Sequence, residues 1–129
     1  MRVRILLTAA VLGIVLAACG DAADPHMAVL EDRFDVIDQI LDCMEGVTDE
    51  SSAKEAAKKI DALGAKMTAV QKRMQAMDVP TPDHRERLTE HFAERQADLD
   101  KRAQELGGRM RPYPEVVHAF AKAMQPLDK

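Results

Sequence analysis

The sequence predicts an all-α protein: an antiparallel helical bundle of three long helices plus a short fourth helix, preceded by a cleaved signal peptide. Three observations lead there. Apolar residues recur at helical steps of three and four over two long stretches, no segment alternates apolar with polar residues as a half-buried strand does, and proline or glycine stands between each expected helix and the next. A chain of 129 residues falls within the usual range of one domain.

The first element is the amino-terminal segment. Arg2 and Arg4 form a short basic head, Ile5 to Leu16 is an apolar run interrupted only by Thr8 and Gly13, and Leu16-Ala17-Ala18-Cys19 closes it. A basic head, an apolar stretch and small residues at the cut are the features that signal peptidases read. At about 12 residues the run is short for a bilayer span. The tetrapeptide Leu16, Ala17, Ala18, Cys19 resembles the lipobox of bacterial lipoproteins. That resemblance implies a signal peptide over residues 1–18, diacylglycerol attached to the Cys19 sulfur, and acylation of the new amino terminus, since two or more acyl chains are needed for a lasting hold on a membrane. Gly20 stands where enteric lipoproteins retained in the inner membrane carry Asp, so the resemblance favours the outer membrane over the inner one. Residues 19–25 then read as a lipidated tether and 26–129 as the bundle domain.

The helices follow in order. Met27, Leu30, Phe34, Ile37, Leu41 and Met44 form one stripe of about six turns. Asp24-Pro25 supplies a capping carboxylate and a first-turn proline in front of it, and Gly46 marks its end. A second flank of the same helix, Val29, Val36, Ile40, Cys43 and Val47, is also apolar, so this helix needs neighbours on two sides: a closed bundle, or a dimer formed through the flank. The second stripe runs through Ala53, Ala56, Ile60, Leu63, Met67, Val70, Met74 and Met77, with Ser52-Ala53-Lys54-Glu55 expected as its capping box. The short connection from Val47 to Ser51 folds the pair back antiparallel, which favours packing within one chain over an extended coiled coil.

Val79-Pro80-Thr81-Pro82 breaks the chain and restarts it. The third helix carries Leu88, Phe92, Leu99 and Leu106 on one stripe, narrowed by Arg95 and Arg102 at intervening places, and Gly107-Gly108 is expected to end it. Pro112-Tyr113-Pro114 introduces the fourth, with Val117, Phe120 and Met124 expected on its inner face. The capped hairpin around Val47 to Lys54 is similar to small helical envelope proteins of bacteria with no established function. The layout also looks like four-helix haem proteins of the cytochrome b562 type, whose ligands would fall nearest Met27 and His118. It departs from that family in its short last helix and in placing His118 near that helix's beginning. In an up-down-up-down bundle Met27 and His118 would be separated by roughly 25 Å at 1.5 Å per residue, which argues against haem.

Charge and composition narrow the function. Without Arg2 and Arg4 the balance is 16 Lys+Arg against 22 Asp+Glu, a formal charge of about −6, and the two signs are interspersed. Nucleic acid is therefore not expected as a partner. Four aromatic residues and no Trp leave little material for stacking platforms. No Walker loop, H-E-x-x-H, G-x-S-x-G or C-x-x-C occurs, and an enzyme is not expected. Glu115-Val116-Val117-His118 matches the E-x-x-H of di-iron bundles but has no second copy. His84 and His91, seven apart, share a side of helix 3 and read as solvated surface histidines. The eight Met fall mostly on core stripes, where Met fills gaps; Met74 and Met77 are the one pair spaced for a soft metal. Cys43 has no partner for an internal disulfide once Cys19 carries lipid, and it reads as half-buried or as a bridge between chains. Cys43, Met44 and His118 form the remaining soft-ligand combination.

These residues point to a lipid-anchored envelope protein that faces the periplasm and has a binding or structural role. No catalytic residue, metal or cofactor is assigned, and the expected partners are the membrane through lipid on Cys19 and another envelope protein or a second copy. A metal- or haem-binding carrier and a chaperone-like helical hairpin are the alternatives.

Overall fold

The computed structural model describes residues 24–126, so the signal peptide, Leu16-Ala17-Ala18-Cys19 and most of the tether lie outside the described residues. Four helices follow one another: α1 (Pro25–Glu45), α2 (Glu50–Ala76), α3 (Pro82–Arg109) and α4 (Pro114–Ala123). Three of the four start on proline, where a missing amide hydrogen costs nothing because first-turn amides have no helical acceptor. Asp24 caps α1 by accepting from the amides of His26 and Met27, and Thr81 caps α3 by accepting from that of His84.

Two helix ends differ from the sequence reading. The capping box of α2 is Asp49 with Ser52, one turn before the expected Ser52 with Glu55. Asp49 Oδ1 accepts from the Ser52 amide at 2.8 Å, and Ser52 Oγ accepts in return from the Asp49 and Thr48 amides at 3.0 and 2.9 Å. Asp49 holds the extended backbone that a cap needs, so the helix begins at Glu50 and Ser52 is already inside it. Likewise α3 continues through Gly107 and Gly108 to Arg109. Neither glycine takes positive φ, and without that geometry the chain has no reason to leave the helix there.

α1 is the central helix: it packs against α2 on one side and α3 on the other, while α4 lies on α2. This explains why both apolar flanks of α1 are buried by the chain's own helices. Phe34, Ile37, Leu41 and Met44 are buried on one side, and Val29, Val36, Ile40 and Val47 on the other. α1 and α3 run parallel in one register, since Asp35 meets Arg95 and Asp42 meets Arg102, each pair 60 residues apart. Arg95 and Arg102, which narrow the apolar face of α3, reach across to an acidic rail on α1. Arg95 Nη2 lies 2.7 Å from Asp35 and 2.9 Å from Asp38, and Arg102 Nε lies 3.0 Å from Glu45. Those carboxylates favour the charged guanidinium and raise its pKa at both positions. Beneath the rail Phe34 and Phe92 stack at 5.0 Å, with the Arg95 guanidinium 5.4 Å from the Phe34 ring centre.

α4 is rotated by about one residue from the expected face. Val116, Ala119 and Ala123 point inward, Phe120 and Met124 are half-buried, and Val117 is 43% exposed. The reason is close approach: Ala123 sits so near Gly64 of α2 that a Cβ at Gly64 would lie 3.4 Å from the Ala123 methyl. Small residues on both sides let two backbones come together. Because Gln125 reaches only as far as Gln71, the last turns of α2 lose this neighbour. Met74, expected in the core, is 37% exposed, and Met77 is half-buried. Every fully buried residue among those described is apolar.

Candidate functional site

Parallel α1 and α3 bring both helix starts to the same end of the bundle, and each start carries a histidine in its first turn. Asp24-Pro25-His26 opens α1 and Thr81-Pro82-Asp83-His84 opens α3. The capping geometry that fixes these turns also fixes the side chains on them. His84 Nε2 lies 2.9 Å from Asp24 Oδ2, His26 Nδ1 lies 3.6 Å from Asp24 Oδ1, and the two rings are 5.1 Å apart and tilted by 59°. All three residues are half-buried, and one ligating atom from each lies within 4.8 Å of the others.

The hydrogen bonds around the cluster decide what each atom has left to offer. His26 Nε2 stands 2.7 Å from the carbonyl oxygen of Asp78. A carbonyl only accepts, so the proton of a neutral His26 is on Nε2 and the lone pair is on Nδ1, facing Asp24. Asp24 Oδ1 accepts the two capping amides, which leaves Oδ2 for His84. The His84 Nε2 atom is enclosed, yet it makes no hydrogen bond despite its short distance to Oδ2. A cleft of about 430 Å³, lined by the three residues with Pro25, Val79, Pro80 and Thr81, opens the cluster to solvent.

The other residues singled out in the sequence are dispersed. His91 is exposed and stacks edge-on against its neighbour Phe92 at 4.8 Å, so the partner of His84 is His26 and not His91, seven residues along the same helix. Met74 and Met77 line a separate apolar groove of about 580 Å³ between α1 and the end of α2, which His26 also borders. Cys43 is half-buried and faces a small cleft between α1 and α2 that Ser52 and Lys59 help line. Burial pushes its thiol pKa up, with Lys59 opposing the shift and Asp42 adding to it. Met44 is buried in the core, whereas His118 is exposed on α4, which packs against α2. Cys43, Met44 and His118 therefore do not share a surface. Met27 begins α1 at the other end of the bundle from the start of α4, and the haem pair is split by that length.

The signal for the Asp24, His26 and His84 cluster was present in the sequence. Two cap-proline starts each carry a histidine, and an up-down-up topology puts the first and third starts side by side. What periodicity did not give was the rotation of each start about its helix axis. No family model matches the chain, and no curated protein or solved structure matches it either.

Proposed function

We propose that this protein is a bacterial lipoprotein, held by lipid on Cys19 at an envelope membrane and facing the periplasm, whose helical bundle has a binding or structural role and not an enzymatic one. The observation that carries this reading is Leu16-Ala17-Ala18-Cys19 placed directly after a basic head and an apolar run. Gly20 favours the outer membrane. The tether is short: four residues separate Cys19 from the Asp24 cap of α1, and the five residue steps between them span at most about 18 Å. In this reading the end of the bundle that carries Asp24, His26 and His84 lies next to the lipid headgroups, while the α1–α2 loop and the start of α4 face away. No described helix is long and apolar enough to cross a membrane, and the reading puts attachment on the acyl chains alone.

The bundle supports a module that presents surface, since its buried residues make a core and its polar residues lie outside. A chaperone-like hairpin would need a broad apolar concavity, whereas the large hydrophobic side chains exposed among the described residues are Met74, Val79 and Val117. The partner expected is another envelope protein or a second copy. The reading is tested by growing cells with an alkyne analogue of palmitate and following label and fractionation. The wild-type chain is expected in the membrane fraction with label, and Cys19→Ser is expected to lose the label and accumulate as precursor. A membrane-bound wild type that takes up no label contradicts the reading.

A further inference from the structure

We propose that Asp24, His26 and His84 form a binding site for a divalent transition metal of the zinc class, with three protein ligands and one open position. The donor set is two imidazoles and a carboxylate, which suits zinc and its neighbours and not magnesium or calcium, which take oxygen ligands. The ligating atoms are His26 Nδ1, His84 Nε2 and Asp24 Oδ2. Zinc bonds of about 2.0–2.1 Å in a tetrahedron place ligand atoms about 3.3 Å apart. His84 Nε2 lies 2.9 Å from Asp24 Oδ2, and one ligating atom from each of the three residues lies within 4.8 Å of the others, so an ion is held once the side chains adjust to close around it.

Two observations beyond the donor types point to an ion. His26 gives its Nε2 proton to the Asp78 carbonyl at 2.7 Å, the outer hydrogen bond that fixes the tautomer and orientation of a metal-bound imidazole. The Asp24 carboxylate is likewise held through Oδ1 by the His26 and Met27 amides, which leaves Oδ2 for the ion. The second observation is the enclosed His84 Nε2, which faces Asp24 Oδ2 at 2.9 Å without the alignment of a hydrogen bond, so an ion held by both atoms would satisfy them together. The positive ends of two helices oppose a cation here. The Asp24 charge and Asp83 in the first turn of α3 counter them. The ion would tie the start of α1 to the start of α3, and solvent or a partner's side chain would reach the fourth position through the open cleft.

The test uses the full chain, purified in detergent micelles and stripped of metal by a chelator, titrated with Zn²⁺ alone by calorimetry. One ion per chain with micromolar or tighter affinity is expected, unaffected by excess Mg²⁺, together with a rise in Tm of at least about 5 °C at saturation. Co²⁺ in place of zinc is expected to give the intense visible absorption of a four-coordinate ion. His84→Gln and His26→Gln are expected to weaken binding by about tenfold or more, and His91→Gln to leave it unchanged. Asp24→Asn keeps a good capping oxygen and removes the anionic ligand, so it should lose affinity while its helical circular dichroism stays at the wild-type level. Absence of saturable zinc binding, or binding that survives both Asp24→Asn and His84→Gln, would overturn the proposal.

Discussion

Ile60 and Met74 lie on the same apolar stripe of α2, two heptads apart, and periodicity treats them as equivalent. The structure separates them: Ile60 is 0% exposed and Met74 is 37% exposed. Truncating Ile60 to alanine removes buried carbon and leaves a cavity in a packed interior, for which about 2–5 kcal/mol is typical. Taken at about 3 kcal/mol, the loss is a large part of a domain stability of roughly 5–15 kcal/mol. At about 4–8 °C per kcal/mol for a domain near this size, Tm is expected to fall by roughly 10–25 °C. Met74→Ala gives up contact that is already partly solvent-facing, and the better helix propensity of alanine offsets some of it, so its cost is expected to stay below about 1 kcal/mol. The assay is thermal and urea denaturation of both variants in the full-length protein, followed by circular dichroism. If Met74→Ala cost as much as Ile60→Ala, then α2 would be covered along its whole length, and the placement of α4 short of its last turns would be wrong.

Two further expectations follow from the helix start and the thiol. Ser52→Ala removes the acceptor of both the Thr48 and Asp49 amides and should cost about 0.5–2 kcal/mol, whereas Glu55→Ala, outside the observed cap, should be near neutral; equal losses in urea titration would restore the later helix start. The Ser52 bonds hold the Asp49 carboxyl below its usual range, so the stability they add is present above the ordinary carboxylate pKa and is lost as pH falls through the lowered one. For the thiol, burial raises the pKa of Cys43, so alkylation should rise with pH later than it does for an exposed cysteine peptide and should accelerate on unfolding. Coincident rate profiles for folded protein and peptide would show that the thiol is not shielded.

Helix number, order and most core positions were legible because they rest on local rules: the stripe of α1, the buried quartet Leu88, Phe92, Leu99 and Leu106 of α3, and the proline starts. What was not legible depended on neighbours. Val117 turned outward because the approach of α4 to α2 is set by Gly64 and Ala123, a fit between two helices that one helix's pattern does not contain. Arg95 and Arg102 looked like gaps in a stripe until Asp35, Asp38, Asp42 and Glu45, themselves at steps of three and four, were placed beside them by the parallel register. The same register assembled Asp24, His26 and His84 from two first turns more than fifty residues apart. Spacing within α3 sets His84 beside His91 alone and reads both as solvated surface histidines, since a single helix offers only its own residues as partners.

The central claim, that Cys19 becomes the lipid-bearing amino terminus of this bundle, is tested most directly by the mass of the protein extracted from native membranes, intact and after digestion. The account predicts a chain that begins at Cys19, with a diacylglyceryl thioether and added amino-terminal acylation, and no peptide from residues 1–18. A mature chain that begins elsewhere, or a Cys19 peptide with an unmodified thiol, would contradict it.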